Sequence, residues 1–528
     1  MQIWSQIIQK IVWLPVIIGL FALGCSAAPE GAPPEGASPE APVAKTFEGN
    51  WESLVQHEVP EWLADAKFGI YAHWGVYSVP AYGNEWYAKE MYDNRNKRNI
   101  YQHHMETYSG PAKFGYKEFV PQFKAKKYDP EEWADLIVKS GAKYAGIAVV
   151  HHDGFLLWDS DINRWNAGNM GPKRDLYGEL VKSLRARDMK TIATFHHFRT
   201  FNWYVSMTPE EKARGIKEGW DLFDPEYADL YWNEETGKLE DFAKEWQNKV
   251  KEVIDKYQPD LLWFDGGQFR SLGLEDYVTS TLAYYLNKEK EWNTEVEILN
   301  KLPSSMTWNF PEDFGVLTFE EGRDRPPFVE RPWIDDQKIG EGSWGYIEGL
   351  PSKKVNTVLD GFIDRVARNG GLLLSLSPKA DGSLPQNQKD VLLGMGDWLR
   401  VNGEAIYGTR PWSIPSEGNT DKLWDRSQTH AKWVFEDNCT AEDIRFTRKG
   451  NTLYAIALDW PANGKVVVKS LAKGGALEDG AIESVALLGA GDVQWSQDAN
   501  GLTIQMPQEK PCDHAFAFRI NVKGDLTE

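Results

Sequence analysis

The sequence predicts a parallel α/β domain followed by an antiparallel β domain. Between residues 50 and 405, amphipathic helical stripes alternate with continuous apolar runs. Such runs are the mark of strands buried on both faces of a parallel sheet. After about residue 410 the pattern changes to short strands split by turn residues. A third observation is that His and Asp residues gather where the apolar runs of the first half end.

Each element has its own signature. Pro130 to Ser140 places Trp133, Leu136 and Ile137 on one helical face and stops at Gly141, before the run Tyr144 to Val150. Leu176, Leu180, Val181 and Leu184 form a second stripe, followed by the strand Thr191 to Phe195. Phe242, Trp246, Val250, Val253, Ile254 and Tyr257 form a third, ahead of Leu261 to Phe264. Val355, Val358, Leu359, Phe362, Ile363 and Val366 form a fourth, ahead of Leu372 to Leu376. A last amphipathic helix covers 387–400. Beyond it, Leu453–Leu458, Lys465–Lys469, Val485–Leu488, Leu502–Met506 and Ala515–Val522 read as strands of a β-sandwich.

The chain has 528 residues, 42% of them hydrophobic, which suits two or three domains with sizeable cores. Its formal charge of −20 argues against nucleic acid, whose phosphates need clustered Lys and Arg. It leaves a glycan or small-molecule substrate open. Trp occurs 24 times, and its flat apolar face with one N–H donor suits the C–H faces of sugars as well as cores. The Cys are Cys25, Cys439 and Cys512, without a CxxC pair, so a zinc ribbon is not supported.

Residues 1–25 read as an export signal: Lys10, then the apolar run Ile11 to Leu23, ending Ala22-Leu23-Gly24-Cys25. The ending resembles a bacterial lipoprotein cleavage box, with Cys25 as the lipidated residue. The expected location is the periplasm or a bacterial cell surface, with membrane contact only through that anchor. Residues 26–45, rich in Ala, Pro, Glu, Gly and Ser, form a tether. The domain of 46–410 and the sandwich of 411–528 follow.

His73, His151, His152, His196 and Asp265 each end or follow a predicted strand, as does His197. The C-terminal strand ends of a parallel barrel share one rim, so these groups converge on one pocket. Neutral imidazoles match sugar hydroxyls in direction and polarity. Glycoside hydrolysis with retention needs two carboxylates about 5–5.5 Å apart. Asp265 is one; Glu312, Asp313, Glu320 and Glu321, in an expected loop over 312–321, are candidates for the other. A His-rich rim could also hold zinc, but the first strand offers a lone His73 rather than a His-x-His pair.

The stretches KFGIYAHWGVYSVPA (67–81), EWY (85–87), AKYAGIAVVHHDGFLLWDS (142–160), PDLLWFDG (259–266), SWGY (343–346) and NGGLLLSLSPKADGSLP (369–385) resemble those of α-L-fucosidases of glycoside hydrolase family 29. The resemblance implies a (β/α)8-like barrel with a C-terminal antiparallel β-sandwich, a retaining exo-glycosidase, and no cofactor or metal. It implies Asp265 as nucleophile and Glu320 as acid/base, with Glu321 in reserve. It implies His73, Glu85, Trp86, His151 and His152 as ligands of fucose hydroxyls, and Trp344 as the aromatic against the sugar. His196 joins these as a further strand-end ligand. The chain departs from the family at His196-His197-Phe198-Arg199, at Asn300-Lys301-Leu302 and at Ile334. These departures raise an α-L-galactoside or a sulfated fucose as alternative substrates, and a non-catalytic glycan binder as the competing class. The insertion 88–128, with Arg95, Lys97 and Arg98, reads as a solvated loop or a contact for an anionic polymer.

Overall fold

The computed structural model describes residues 46–528 apart from 96, 267–271, 302–309, 323–329, 421–438, 479, 525 and 527–528. The expected signal with Cys25 and the tether lie outside the described residues.

Eight parallel strands close into a barrel in chain order. They are β1 (Phe68–Ala72), β2 (Tyr144–Val150), β3 (Lys190–Phe195), β4 (Leu261–Phe264), β5 (Glu297–Lys301), β6 (Val316–Glu320), β7 (Trp333–Lys338) and β8 (Gly370–Leu376). The barrel forms because alternate residues of every strand point inward and fill its centre. Tyr71, Tyr144, Ile192, Leu261, Trp263, Leu299, Val316, Ile334 and Leu373 make that inner core. The opposite strand faces pack on the helices in one continuous outer core. Gly69 is required inside: a Cβ there would sit 2.1 Å from the Tyr144 ring.

The helices start where the sequence provides caps. Asp129 accepts from the Glu131 N–H at 2.9 Å ahead of Pro130–Lys139, and Asp175 caps Leu176–Arg185. Two expectations change. The segment 312–321 is not all loop, because Val316–Glu320 is barrel strand β6 and carries Glu320 at its end. The insertion 88–128 is not a solvated loop either. It forms the helix Ile100–Tyr108 and a 3-10 turn over Tyr116–Gln122, with Tyr116 and Phe119 fully buried. Its aromatic content supplied the apolar area to fold, which the Lys and Arg content obscured. Arg95 and Arg98 are engaged by Asp93 at 2.7 Å and Glu90 at 3.2 Å.

Residues beyond 410 form β9 (Arg410–Glu417), β10 (Ile444–Lys449), β11 (Thr452–Ala457), β12 (Lys465–Val468), β13 (Ile482–Leu487), β14 (Gly491–Asp492), β15 (Trp495–Asp498), β16 (Gly501–Gln505) and β17 (Phe516–Val522). A six-stranded antiparallel sheet runs β14-β13-β17-β11-β10-β9, and a three-stranded one runs β12-β16-β15. They enclose a separate core that includes Phe446, Leu453, Val466, Leu502 and Phe518. This domain is tied to the barrel's helix Val355–Ala367 through buried Arg445, whose Nε donates to Asp364 at 2.6 Å. Cys439 and Cys512 are free thiols. No helix among the described residues is long and apolar enough to cross a membrane.

Candidate active site

The inward alternation that fills the barrel also delivers its polar rim. One step of two residues beyond the inner core leads from Tyr71 to His73, from Trp263 to Asp265 and from Leu299 to Lys301. Thr194 leads likewise to His196, and Thr318, which accepts from the Trp263 indole at 3.1 Å, leads to Glu320. In β2 the register against β3 shifts between Ala148 and Val150. That irregularity brings both His151 and His152 to the pocket. His73 stands 4.9 Å from His196 and 5.5 Å from His151, ring centre to ring centre. His152 Nε2 lies 3.5 Å from Asp265 Oδ2.

Lys301 occupies the centre. Its ammonium donates to Asp265 Oδ1 and lies 2.9 Å from Glu320 Oε2. Two hydrogen bonds of ordinary length to one nitrogen keep their acceptor oxygens within about 6 Å of each other. Burial would depress the Lys301 pKa, but Asp265, Glu320 and Asp336 outweigh it and raise it above the usual lysine range. For Asp265, burial pushes upward. The Lys301 ammonium, foremost, overcomes that and holds its carboxyl well below the ordinary range. Asp336, inward on β7, is pushed well above its ordinary value by burial, and accepts from the Tyr71 hydroxyl at 2.8 Å.

The imidazoles are neutral. Burial lowers the pKa of His73, His151 and His196 well below 6.5, and lowers that of His152 to about 4. His73 Nδ1 bonds Ser375 Oγ at 2.8 Å. Nδ1 of His151, His152 and His196 has no partner among the described residues. Buried polar nitrogens left so are costly unless a ligand meets them.

The remaining predicted residues close the pocket. Glu85 Oε2 accepts from the Trp344 N–H at 3.0 Å and from Ser343 Oγ at 3.1 Å, which fixes the 343–345 turn. Trp344 then stands 5.0 Å from the His73 ring. Trp86 stands 5.9 Å from the His152 ring, edge to face. Of the second-carboxylate candidates, Glu312 and Asp313 are exposed. Glu321 pairs with Lys338 at 2.5 Å, and only Glu320 is paired with the Lys301 that holds Asp265. His197 takes the other face of its strand end and packs 6.0 Å from the Trp246 ring, away from this pocket. The sequence reading marked Asn300-Lys301-Leu302 as a departure that lines the pocket but gave Lys301 no role, and it missed Asp336. For Asp336 the available signal was a charged residue two positions after the inward apolar Ile334.

Known proteins match this chain in sequence and in fold. The sequence model of the family described as Alpha-L-fucosidase matches residues 37–404, and that of the Alpha-L-fucosidase C-terminal domain matches 436–521. The chain belongs to the α-L-fucosidase family. It is 29% identical over 485 residues to the tissue alpha-L-fucosidase of Mus musculus, covering 91% of this chain and 94% of that one. It is 30% identical over 496 residues to the plasma alpha-L-fucosidase of Homo sapiens, covering 90% and 93%. Among solved structures it is similar to a Thermotoga maritima alpha-fucosidase in complex with a mechanism-based inhibitor. That match has 28% identity and a TM-score of 0.69, covering 90% of this chain and 100% of that one. The family's barrel and C-terminal antiparallel domain are both present here.

Proposed function

We propose that this chain is an exported, retaining exo-α-L-fucosidase that releases fucose from non-reducing ends of glycans. One observation supports the mechanism: Asp265 and Glu320 share the Lys301 ammonium, which keeps their oxygens within about 6 Å, close enough to serve one anomeric centre. Asp265, kept ionised, attacks the anomeric carbon. The glycosidic C–O bond breaks, and Glu320 gives its proton to the leaving oxygen. In the second half Glu320 takes a proton from water, whose oxygen attacks the same carbon and frees Asp265. His73, His151, His152, His196 and Glu85 hold the sugar hydroxyls, and Trp86 and Trp344 meet its apolar faces. The chemistry is assigned to these side chains without a cofactor.

The catalytic unit is assigned to 46–410 and the sandwich to 411–528. Export through residues 1–25 and lipidation at Cys25 would be checked by the mass of the mature N-terminus. The central test is a panel of aryl glycosides with product stereochemistry followed by NMR. The expected result is hydrolysis of the α-L-fucoside with α-fucose formed first. In the same assay Asp265→Ala should lose about 10³-fold or more in kcat and still fold. Faster hydrolysis of the α-L-galactoside would transfer the assignment to that sugar. Undiminished activity of Asp265→Ala would remove the nucleophile.

A further inference from the structure

Beside the pocket lies a second groove of about 330 Å³, lined by Trp86, Lys89, Arg199, Phe201, Asn202, Trp203 and Ser206. Trp86 and Trp203 pack edge to face along one side of it, 6.1 Å between ring centres, and His152 stands 5.5 Å from Trp203. The groove is therefore continuous with the side chains around Asp265. Its charge is unusual for a chain of net charge −20. The Lys89 ammonium stands 5.4 Å from the Trp86 ring centre. It makes no ion pair among the described residues, because the nearby acids are engaged elsewhere: Asp93 by Arg95 and Glu90 by Arg98. Arg199 packs against Gly266, the residue after the nucleophile. A Cβ at Gly266, whose φ is +71°, would lie 2.9 Å from Arg199 Nε. Burial lowers the Lys89 pKa; Asp93 and Glu90 oppose it, and Arg95 and then Arg199 add smaller contributions in the same direction as burial.

Two cations lining one groove beside an indole suit a sugar that carries negative charge. An oxyanion there can accept charge-assisted hydrogen bonds from both, while the half-buried Trp86 offers apolar surface to the ring's C–H face. We propose that this groove binds an oxyanion substituent, a sulfate ester or a uronate carboxylate, on the part of the glycan next to the fucose. The inference rests on the α-L-fucosidase reading and adds the class of glycan. The insertion contributes Lys89 to this site; its Arg95 and Arg98 are consumed by their own acids.

The test uses the full chain and three matched α-L-fucosyl disaccharides whose second sugar is neutral, sulfated or a uronic acid. At low ionic strength kcat/KM should favour at least one acidic substrate over the neutral one by tenfold or more. The sulfated and uronic arms identify which oxyanion is preferred. Lys89→Glu should cut that ratio by tenfold or more, Arg199→Gln should reduce it, and 0.5 M salt should shrink it for the parent. Equal rates on all three disaccharides, or a ratio that Lys89→Glu leaves unchanged, would overturn the inference. Should none of the fucosides be hydrolysed, the functional reading fails instead. Calorimetric affinities for the same three disaccharides then decide the groove by the same ratios.

Discussion

Replacing Lys301 with Met removes a cation that Asp265 and Glu320 share while keeping an unbranched side chain of similar length. Lys301 is the leading attraction that overcomes burial and depresses the Asp265 pKa. An opposite charge at contact lowers a carboxyl pKa by about 1–3, which is roughly 1.4–4 kcal/mol in favour of the ionised form. The sign is fixed by the chemistry. Asp265 attacks only when ionised, so activity is lost as pH falls through its pKa. A depressed pKa places that acid limb far to the acid side, and Lys301→Met should bring it up by about 1–3 pH units. The measurement is kcat/KM on an aryl α-L-fucoside across about pH 3 to 8. Lys301→Arg keeps the charge and should keep the parent's acid limb. Coincident acid limbs for Lys301→Met and the parent would refute the assignment of Lys301 as the group that keeps Asp265 ionised.

The other expectations are separable. Glu320→Gln should lower kcat about 10²–10⁴-fold on natural glycans, whose leaving groups need a proton, and far less on activated aryl fucosides. Glu321→Gln, its carboxylate held by Lys338, should leave that leaving-group dependence as in the parent, and the reverse pattern would exchange their roles. Arg445→Met removes the shorter of two ion pairs to the buried Asp364, leaving Arg368 at 3.3 Å, and should cost about 1.5–3 kcal/mol of stability, read from chemical denaturation.

The parts of the molecule legible in sequence were those where one physical signal dominated. The β2, β3, β4 and β8 runs are apolar on both faces and follow strong helical stripes, so they stood out. The β5, β6 and β7 strands did not. Lys301, Glu320, Asp336 and Lys338 interrupt them, because those strands carry the charged part of the rim. The residues that hid the strands are the ones that build the site. The convergence of His73, His151, His152 and His196 on Asp265 followed from strand-end placement alone. That Lys301 joins Asp265 to Glu320 needed the closed register of β4, β5 and β6, which no local pattern encodes.

That closed register also makes a demand on the substrate. In the proposed mechanism the anomeric carbon lies between Asp265 and Glu320, where the Lys301 ammonium stands. Lysine suits this better than arginine would, since a compact charge on a flexible stem can withdraw along the Trp263 face, 5.1 Å from its ring centre, as the sugar enters. A protonated iminosugar of fucose shape places its own ammonium at that point and so meets a like charge. At about 4 Å that repulsion is worth between roughly 1 and 4 kcal/mol, from bulk water to a protein-like dielectric. Lys301→Met should therefore tighten the basic iminosugar relative to neutral fucose by about tenfold or more. The readout is the ratio of the two inhibition constants at a pH where the iminosugar is charged. A ratio that stays put, or moves toward fucose, would mean that the ammonium already vacates the pocket when a sugar binds.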